Sequence, residues 1–305
     1  MWETSHVQTV DSWTKGIHTL RTARAVLDFE GWLSKMGGRL EGRVALITGA
    51  ARGQGASHAR HLAAEGADVV AVDICHDIPS LYPLGTRGEL DAAVASVQEL
   101  GRRALAIECD QRDDGAVAAA VALAEREFGR IDILVNNAGV LAVSGITDMS
   151  VQEMDIQIDV NLKGPFNFVR HVAPGMKERH FGRIINISSS GGVRPFAYLS
   201  HYVAAKAGLI MAGRSWAQEF GDYGITVNAI APGVLRTPMN DHVLASLDMG
   251  LDEGYAEWMS RNVFRGEQNP LTVDDISRAI VYLASDDGRA VTGQTLGVDS
   301  GWTIT

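Results

Sequence analysis

The sequence predicts an α/β fold, a single Rossmann-like doubly wound domain built around a seven-stranded parallel sheet. Three observations carry this. From Arg43 onward, short β-branched runs alternate with Ala-rich amphipathic stretches, which is the pattern of repeated βαβ units. Glycines gather where the runs end, at the points where a strand must turn into a helix. A chain of 305 residues with 46% hydrophobic content can fill one sizeable core, and no internal repeat or low-complexity tract suggests a modular array.

Taken in order, residues 1–38 read as an N-terminal extension, polar and Trp-dotted up to a composition break at Gly37-Gly38. Within it Leu20, Ala23, Val26, Leu27 and Leu33 follow roughly helical spacing and suit a short amphipathic helix over 19–36; in the rival reading Met36 is the natural start. The domain proper is assigned to residues 39–305. Its first unit is a strand at Val44–Thr48, a helix at Ser57–Glu65 and a strand at Val69–Asp73. Further strands are predicted at Ala104–Cys109, Ile131–Asn136, Arg183–Ser188, Thr226–Ile230 and Thr295–Val298. From Asn240 to Asn269 the alternation gives way to a polar helical stretch, where a substrate lid would sit. Met239, Leu244, Met249, Trp258 and Met259 suit an apolar pocket there, and equally suit helix packing.

Charge and cysteine content exclude several function classes. A formal charge of -10, without clustered Lys and Arg, argues against nucleic-acid or anionic-membrane binding. Cys75 and Cys109 are too few for a disulfide framework, and no Cys/His grouping has zinc-ligand spacing, so no metal is expected and the compartment is expected to be reducing, hence cytoplasmic. No apolar run reaches membrane-spanning length, and the first residues lack a secretory signal pattern.

Two local motifs carry chemistry. Thr48-Gly49-Ala50-Ala51-Arg52-Gly53-Gln54-Gly55 follows the first strand and opens a helix. There Gly49 permits a tight turn, and Gly53 and Gly55 let backbone amides approach a pyrophosphate. Alone the pattern is weak, but Asp73 ends the second strand 24 residues beyond Gly49, where a carboxylate can accept from ribose hydroxyls. Its charge would repel a 2′-phosphate, favouring NAD over NADP; Arg52 is the competing signal, read as pyrophosphate-side or solvated. The candidate cofactor set is therefore Gly49, Arg52, Gly53, Gln54, Gly55, Asp73 and the adjacent Ile74.

Tyr202 and Lys206 stand at i and i+4, on one helix face, where an ammonium can stabilise a phenolate and lower its pKa. Ile185-Asn186-Ile187-Ser188-Ser189 precedes them, with Ser189 thirteen residues before Tyr202, so a hydroxyl could hold a substrate oxygen while Tyr202 exchanges its proton.

With these motifs in order, residues 41–305 resemble the short-chain dehydrogenase/reductase family. The resemblance implies that Asp110 contacts adenine and that Asn136-Asn137-Ala138-Gly139 is the family's NNAG strand end, with Asn137, Ala138 and Gly139 beside the cofactor. It implies a catalytic set of Asn161, Ser189, Tyr202 and Lys206, the last two also touching the cofactor, and a nicotinamide-carboxamide segment of Pro232, Gly233, Leu235 and Thr237. It further implies a homotetramer formed through the helices bearing Asn161 and Tyr202. Blander readings stand beside these. Asn136 and Asn137 could merely cap a turn, and Asn161 could merely bend a helix around a water. His201 should not act as acid or base, since adjacent helical residues do not face each other. Ser188 and Ser190 should be structural, and Cys75 and Cys109 small buried residues.

One departure narrows the branch. Asp73 and Asp110 are 37 residues apart, about a dozen more than a turn, a helix and a strand require. The extra residues, Cys75 to Arg87, hold Pro79 and Pro83 with apolar clusters around them, which suits an ordered loop over the adenosine half of the cofactor. This insert, with the GAARGQG and HYVAAK motifs, resembles the mycofactocin-dependent, carveol dehydrogenase-like branch. The expected activity is oxidation of a secondary, cyclic or terpenoid alcohol to a ketone, with NAD held without exchange and re-oxidised by a redox peptide carrier. The alternatives are an ordinary dehydrogenase with freely exchanging NAD and a non-catalytic NAD-binding regulator.

Overall fold

The computed structural model describes residues 38–264 and 271–305. The expected helix at 19–36 lies outside them, as do 265–269 of the expected lid.

All seven strands form, at β1 Val44–Thr48, β2 Asp68–Asp73, β3 Ala104–Glu108, β4 Ile133–Asn136, β5 Gly182–Ile187, β6 Ile225–Pro232 and β7 Thr295–Val298. They make one parallel sheet in the order β3-β2-β1-β4-β5-β6-β7. The strands read as continuous apolar runs because both faces are covered. Along β1, Ala45 and Ile47 enter one core cluster while Val44 and Leu46 enter the other, the period-two alternation of a pleated strand. The first cluster is completed by α1 (Gly53–Ala64), α2 (Arg87–Gln98) and α9 (Val273–Ala284). The second is completed by α3 (Asp114–Phe128), α5 (Gly164–Glu178) and α6 (Ser200–Phe220).

Strand order reverses between β1 and β4, so the carboxyl ends of these strands splay apart and leave a crevice, the general ligand position in open α/β sheets. Boundaries shift from the sequence expectation in instructive ways. Helix α1 begins at Gly53, ahead of the apolar pattern, because the glycine loop closes directly into its first turn. Strand β6 continues past Ile230 because β7 pairs with Ala229 through Pro232. Helix α4 (Val151–Ile158) does not end but passes through a π-helical turn at Asp159–Lys163 into α5, and such bulges mark functional sites often enough to draw notice. The lid forms α7 (Pro238–Ser246) and α8 (Leu251–Met259).

The Cys75–Arg87 insert is packed. Ile78, Tyr82 and Leu84 share a small buried cluster with Val140, Ile156 and Val160. The insert ends on a full capping box, with Thr86 and Glu89 satisfying each other's backbone amides at the start of α2.

Candidate active site

The glycine loop is as tight as its sequence suggests. Gly49 has φ +65°, and a Cβ added there would meet the Ala138 Cα at 2.7 Å. A Cβ at Gly55 would fall 1.9 Å from the Gly49 carbonyl oxygen, so the first turn of α1 closes on the loop with no room for any side chain. The opposite wall is pinned to it. Asn137 donates from Nδ2 to the Thr48 and Gly49 carbonyls at 2.8 and 3.1 Å, and Thr48 Oγ1 accepts from the Asn137 and Ala138 amides at 3.0 Å. Asn136 donates to Asn186 inside the sheet. Asn137 is thus committed to the scaffold of the loop and Asn136 to the β4–β5 pair, while Asn137, Ala138 and Gly139 also line the groove.

Asp73 is buried at the end of β2, where Oδ2 accepts from the Ala51 amide at 3.0 Å and Oδ1 from the Cys75 amide at 3.3 Å. Arg52 lines the same groove but donates to the Pro83 carbonyl of the insert and lies 4.0 Å from the Glu89 carboxylate. It therefore acts as a tether for the insert, a partner neither the pyrophosphate-side nor the solvated reading foresaw. Asp110 also lines the groove, gripped by Arg112 at 2.6 to 3.0 Å. Burial pushes its carboxyl up, but the Arg112 hydrogen bonds prevail and hold it below the usual range. Cys109 is buried as expected, whereas Cys75 is only half-buried at the mouth of the insert.

Of the four expected catalytic residues, Asn161 and Lys206 meet at Gly139, while Ser189 and Tyr202 share the wall of the adjoining cavity. A Cβ added to Gly139 would meet Asn161 Oδ1 at 2.8 Å and Lys206 Nζ at 3.1 Å, so glycine is what lets these two groups approach the strand end. Asn161 lies in the π-turn, fully buried, with Nδ2 donating to the Val140 carbonyl at 2.8 Å and Oδ1 accepting the Val140 amide at 3.2 Å. Lys206 Nζ donates to the Ile187 carbonyl at 2.9 Å and lies 5.8 Å from the centre of the Tyr202 ring. Burial brings the Lys206 ammonium down to about 8, so it is still largely charged at neutral pH. The nearby Ser189 hydroxyl favours the Tyr202 phenolate, yet burial is the larger effect and raises the phenol. The lowering expected from the neighbouring lysine is not what the polypeptide alone produces, because desolvation of the phenolate is the larger effect.

Ser189 Oγ accepts from the Gly191 amide at 3.0 Å, while Ser188 donates to the Lys206 carbonyl at 3.0 Å, a structural role as expected. His201 is buried and absent from the cavity wall that holds Tyr202, and neither ring nitrogen has a hydrogen-bond partner among the described residues.

Two connected spaces meet here. The groove, about 170 Å³, runs from Asp73, Ile74 and Asp110 past the glycine loop to Thr237. A second cavity, about 290 Å³, contains Ser189 and Tyr202 in its wall, with Pro232, Gly233 and Leu235 beside them. Gln54, Thr237 and Met239 line both. The larger cavity is walled mainly by apolar residues, among them Leu141, Phe196, Leu199, Val243, Trp258 and Trp302, with Glu257 and Arg261 also in its lining. Of the lid residues named from sequence, Met239 and Trp258 line it; Leu244 turns inward to pack on Gly254, and Met249 and Met259 are not in its wall. Phe196 and Trp302, stacked with ring centres 4.9 Å apart, escaped the sequence reading. They lie more than a hundred residues apart, and the signal available was Trp302 four residues past the last strand.

The groove fits NAD. It offers a glycine cradle that side chains would fill, an acidic end at Asp73, an Arg52 turned away to the insert, and a buried Gln54 Oε1 without a partner among the described residues. Bound there, NAD would be held by the loop, Asp73 and the Asn137–Gly139 wall. Among the described residues no His/Cys/Asp/Glu group could hold a metal ion, and no helix is long and apolar enough to cross a membrane.

Known proteins share this arrangement. The family described as enoyl-(acyl carrier protein) reductase matches residues 49–303. An uncharacterised NAD-dependent oxidoreductase of Mycobacterium tuberculosis is 38% identical over 88% of this chain and 98% of its own length. The (-)-trans-carveol dehydrogenase of Rhodococcus erythropolis is 38% identical over 87% of this chain and 99% of its own. The crystal structure of a Mycobacterium avium carveol dehydrogenase in complex with NAD superposes with a TM-score of 0.83 at 38% identity, covering 88% of this chain and all of that one. Fold, motif order and these relatives agree: the chain belongs to the short-chain dehydrogenase/reductase family and is an NAD-dependent oxidoreductase.

Proposed function

We propose that this enzyme oxidises an apolar secondary alcohol, cyclic or terpenoid, to the ketone. The observation that carries the reading is a buried tyrosine and a serine sharing the wall of a largely apolar cavity that adjoins the NAD groove. Ser189 holds the substrate oxygen and Tyr202 accepts the alcohol proton. The charged Lys206 favours the phenolate and steadies the ribose, and Asn161 supports proton exchange behind Lys206. NAD supplies the hydride acceptor for the carbinol carbon. The cavity walls of Leu141, Phe196, Val243, Trp258 and Trp302 favour a substrate that presents a hydrocarbon ring.

The finer reading is that the insert keeps NAD bound and that a redox peptide carrier re-oxidises it. Support comes from the three fastenings of the insert: Arg52 to Pro83 and Glu89, Leu84 to Asp77 at 2.8 Å, and the buried Tyr82 cluster. A homotetramer through α5 and α6 is supported by Phe166 and Met211, large apolar side chains exposed on those helices.

The test is alcohol oxidation measured with added NAD alone and again with an artificial electron acceptor. Cyclic secondary alcohols should react slowly in the first case and briskly in the second. Brisk multiple turnover on free NAD would replace this reading with that of an ordinary exchanging dehydrogenase. No oxidation of any alcohol under either condition would contradict both.

A further inference from the structure

The π-turn that carries Asn161 lacks one hydrogen bond of its own, and a side chain from outside the helix supplies it. In this turn a carbonyl takes its donor from five residues ahead, as the Gly164 amide donates to Asp159. The next carbonyl, that of Val160, would need the amide of residue 165, which is a proline and has no hydrogen to give. Gln111, in the segment between β3 and α3, provides the donor. Its Nε2 lies 2.8 Å from the buried Val160 carbonyl oxygen, and the Ala138 carbonyl is 3.5 Å from the same nitrogen. Both neighbours can only accept, so the nitrogen end of the amide must face them. Gly164 makes the room, since an added Cβ there would fall 2.5 Å from Gln111 Cδ. Asn167 on α5 donates to the Gln111 carbonyl at 2.9 Å and fixes its backbone.

We propose that Gln111 is a positioning residue for Asn161: it joins the groove wall at Ala138 to the π-turn at Val160 and so holds the Asn161 amide in place beside Lys206. The proposal rests on the reading of Asn161 as the support for proton exchange. A buried glutamine is often only a filler of space. What sets Gln111 apart is its Oε1, which is buried without a partner among the described residues, a cost that an apolar side chain of the same length would not carry. The residue gains in return the one bond that the turn cannot make for itself. Its two contacts also bracket Asn161, which bonds the amide and the carbonyl of Val140, two residues beyond Ala138, and directly follows Val160. Freeing the Val160 carbonyl therefore lets the turn shift against the strand end, and the Asn161 amide shifts with it.

The experiment pairs Gln111→Met, which keeps the length of the side chain but has no donor, with Pro165→Ala, which gives residue 165 an amide in register with the Val160 carbonyl. Melting temperature and the oxidation of cyclic secondary alcohols with an artificial electron acceptor are both measured. Gln111→Met should melt a few degrees lower and lose about tenfold in kcat, the scale of one hydrogen bond, with KM for the alcohol within about twofold of wild type. Pro165→Ala alone should turn over near the wild-type rate. Added to Gln111→Met, it should return kcat to within about threefold of wild type and recover the melting temperature, a rescue that lost packing would not allow. Asn161→Ala should lower kcat at least as far as Gln111→Met, and combining those two should lower it little further, because one residue acts through the other. If Gln111→Met does not fold alone, its double variant with Pro165→Ala decides, with folded protein of near-wild-type kcat expected. Wild-type kcat in Gln111→Met, or a loss that Pro165→Ala leaves in place, would overturn the proposal. Wild-type kcat in Asn161→Ala would instead remove Asn161 from the chemistry, and the proposal with it.

Discussion

In the cofactor groove the chain already holds Asp73, Asp110 and Asn137 with hydrogen bonds of its own, whereas in the substrate cavity it has left the work to shape. Asp73 is held by two amides, Asp110 by a guanidinium and Asn137 by two carbonyls, each within about 3.3 Å. The substrate cavity has Ser189 and Tyr202 in its lining and otherwise mostly aliphatic and aromatic walls drawn from the segments after β4 and β6, the segment before α6, α7, α8 and Trp302. The first region is preorganised for a ligand of fixed chemistry; the second can change its ligand by changing side-chain volume. Gln54, Thr237 and Met239 belong to both, and Tyr82 of the insert meets His242 of the lid with ring centres 5.2 Å apart.

The sharpest way to separate the two regions is to disable the chemistry where they meet. Tyr202→Phe keeps the ring but removes the titrating hydroxyl, so turnover should fall by about 10² or more while bound NAD and melting temperature stay near wild type. Near-normal turnover would remove Tyr202 from the mechanism. Within the groove, Asp73→Ala deletes a carboxylate and strands the Ala51 and Cys75 amides. NAD affinity should drop by about 10- to 100-fold, with a relative gain for NADP. Titration of both cofactors checks this, and unchanged preference would show that the carboxylate does not read the ribose.

A pH series probes the scaffold beneath the groove. Burial, helped by the neighbouring His61, lowers His58 from the ordinary histidine range to about 3, so between pH 6.5 and 3 the unfolded chain binds a proton that the folded one refuses. Its contribution to stability is complete above pH 6.5 and is lost as pH falls, at up to about 1.4 kcal/mol per pH unit. Urea unfolding between pH 7 and 4.5 should show that slope in wild type and a flatter one in His58→Gln; equal slopes would mean His58 is not the group that titrates. The smallest effect belongs to the cavity wall. Trp258→Ala should raise KM for a bulky alcohol several-fold, with kcat little changed, as expected for lost apolar contact of about 1 kcal/mol.

How far the sequence could be read follows the same division. Strands, the glycine loop, Asp73 and the Ser189–Tyr202–Lys206 set are legible because each is fixed by local spacing: a period of two, a turn that demands glycine, an i to i+4 pair. The Arg52–Pro83 tether, the Thr48–Asn137 pinning and the Phe196–Trp302 wall join residues 31, 89 and 106 positions apart, and no local pattern announces them. The π-turn at Asn161 was equally silent, since its sequence is compatible with an unbroken helix. Lid residues were half legible: their apolar character was visible, but which face turned to the cavity depended on where α7 and α8 begin.

If the insert after Asp73 makes NAD a resident group, the cofactor content of purified protein after exhaustive dialysis will show it. Close to one nicotinamide dinucleotide per chain is expected, falling toward none when residues 75–87 are shortened to a tight turn. Wild-type protein that dialyses empty, with free NAD supporting brisk turnover, would contradict it.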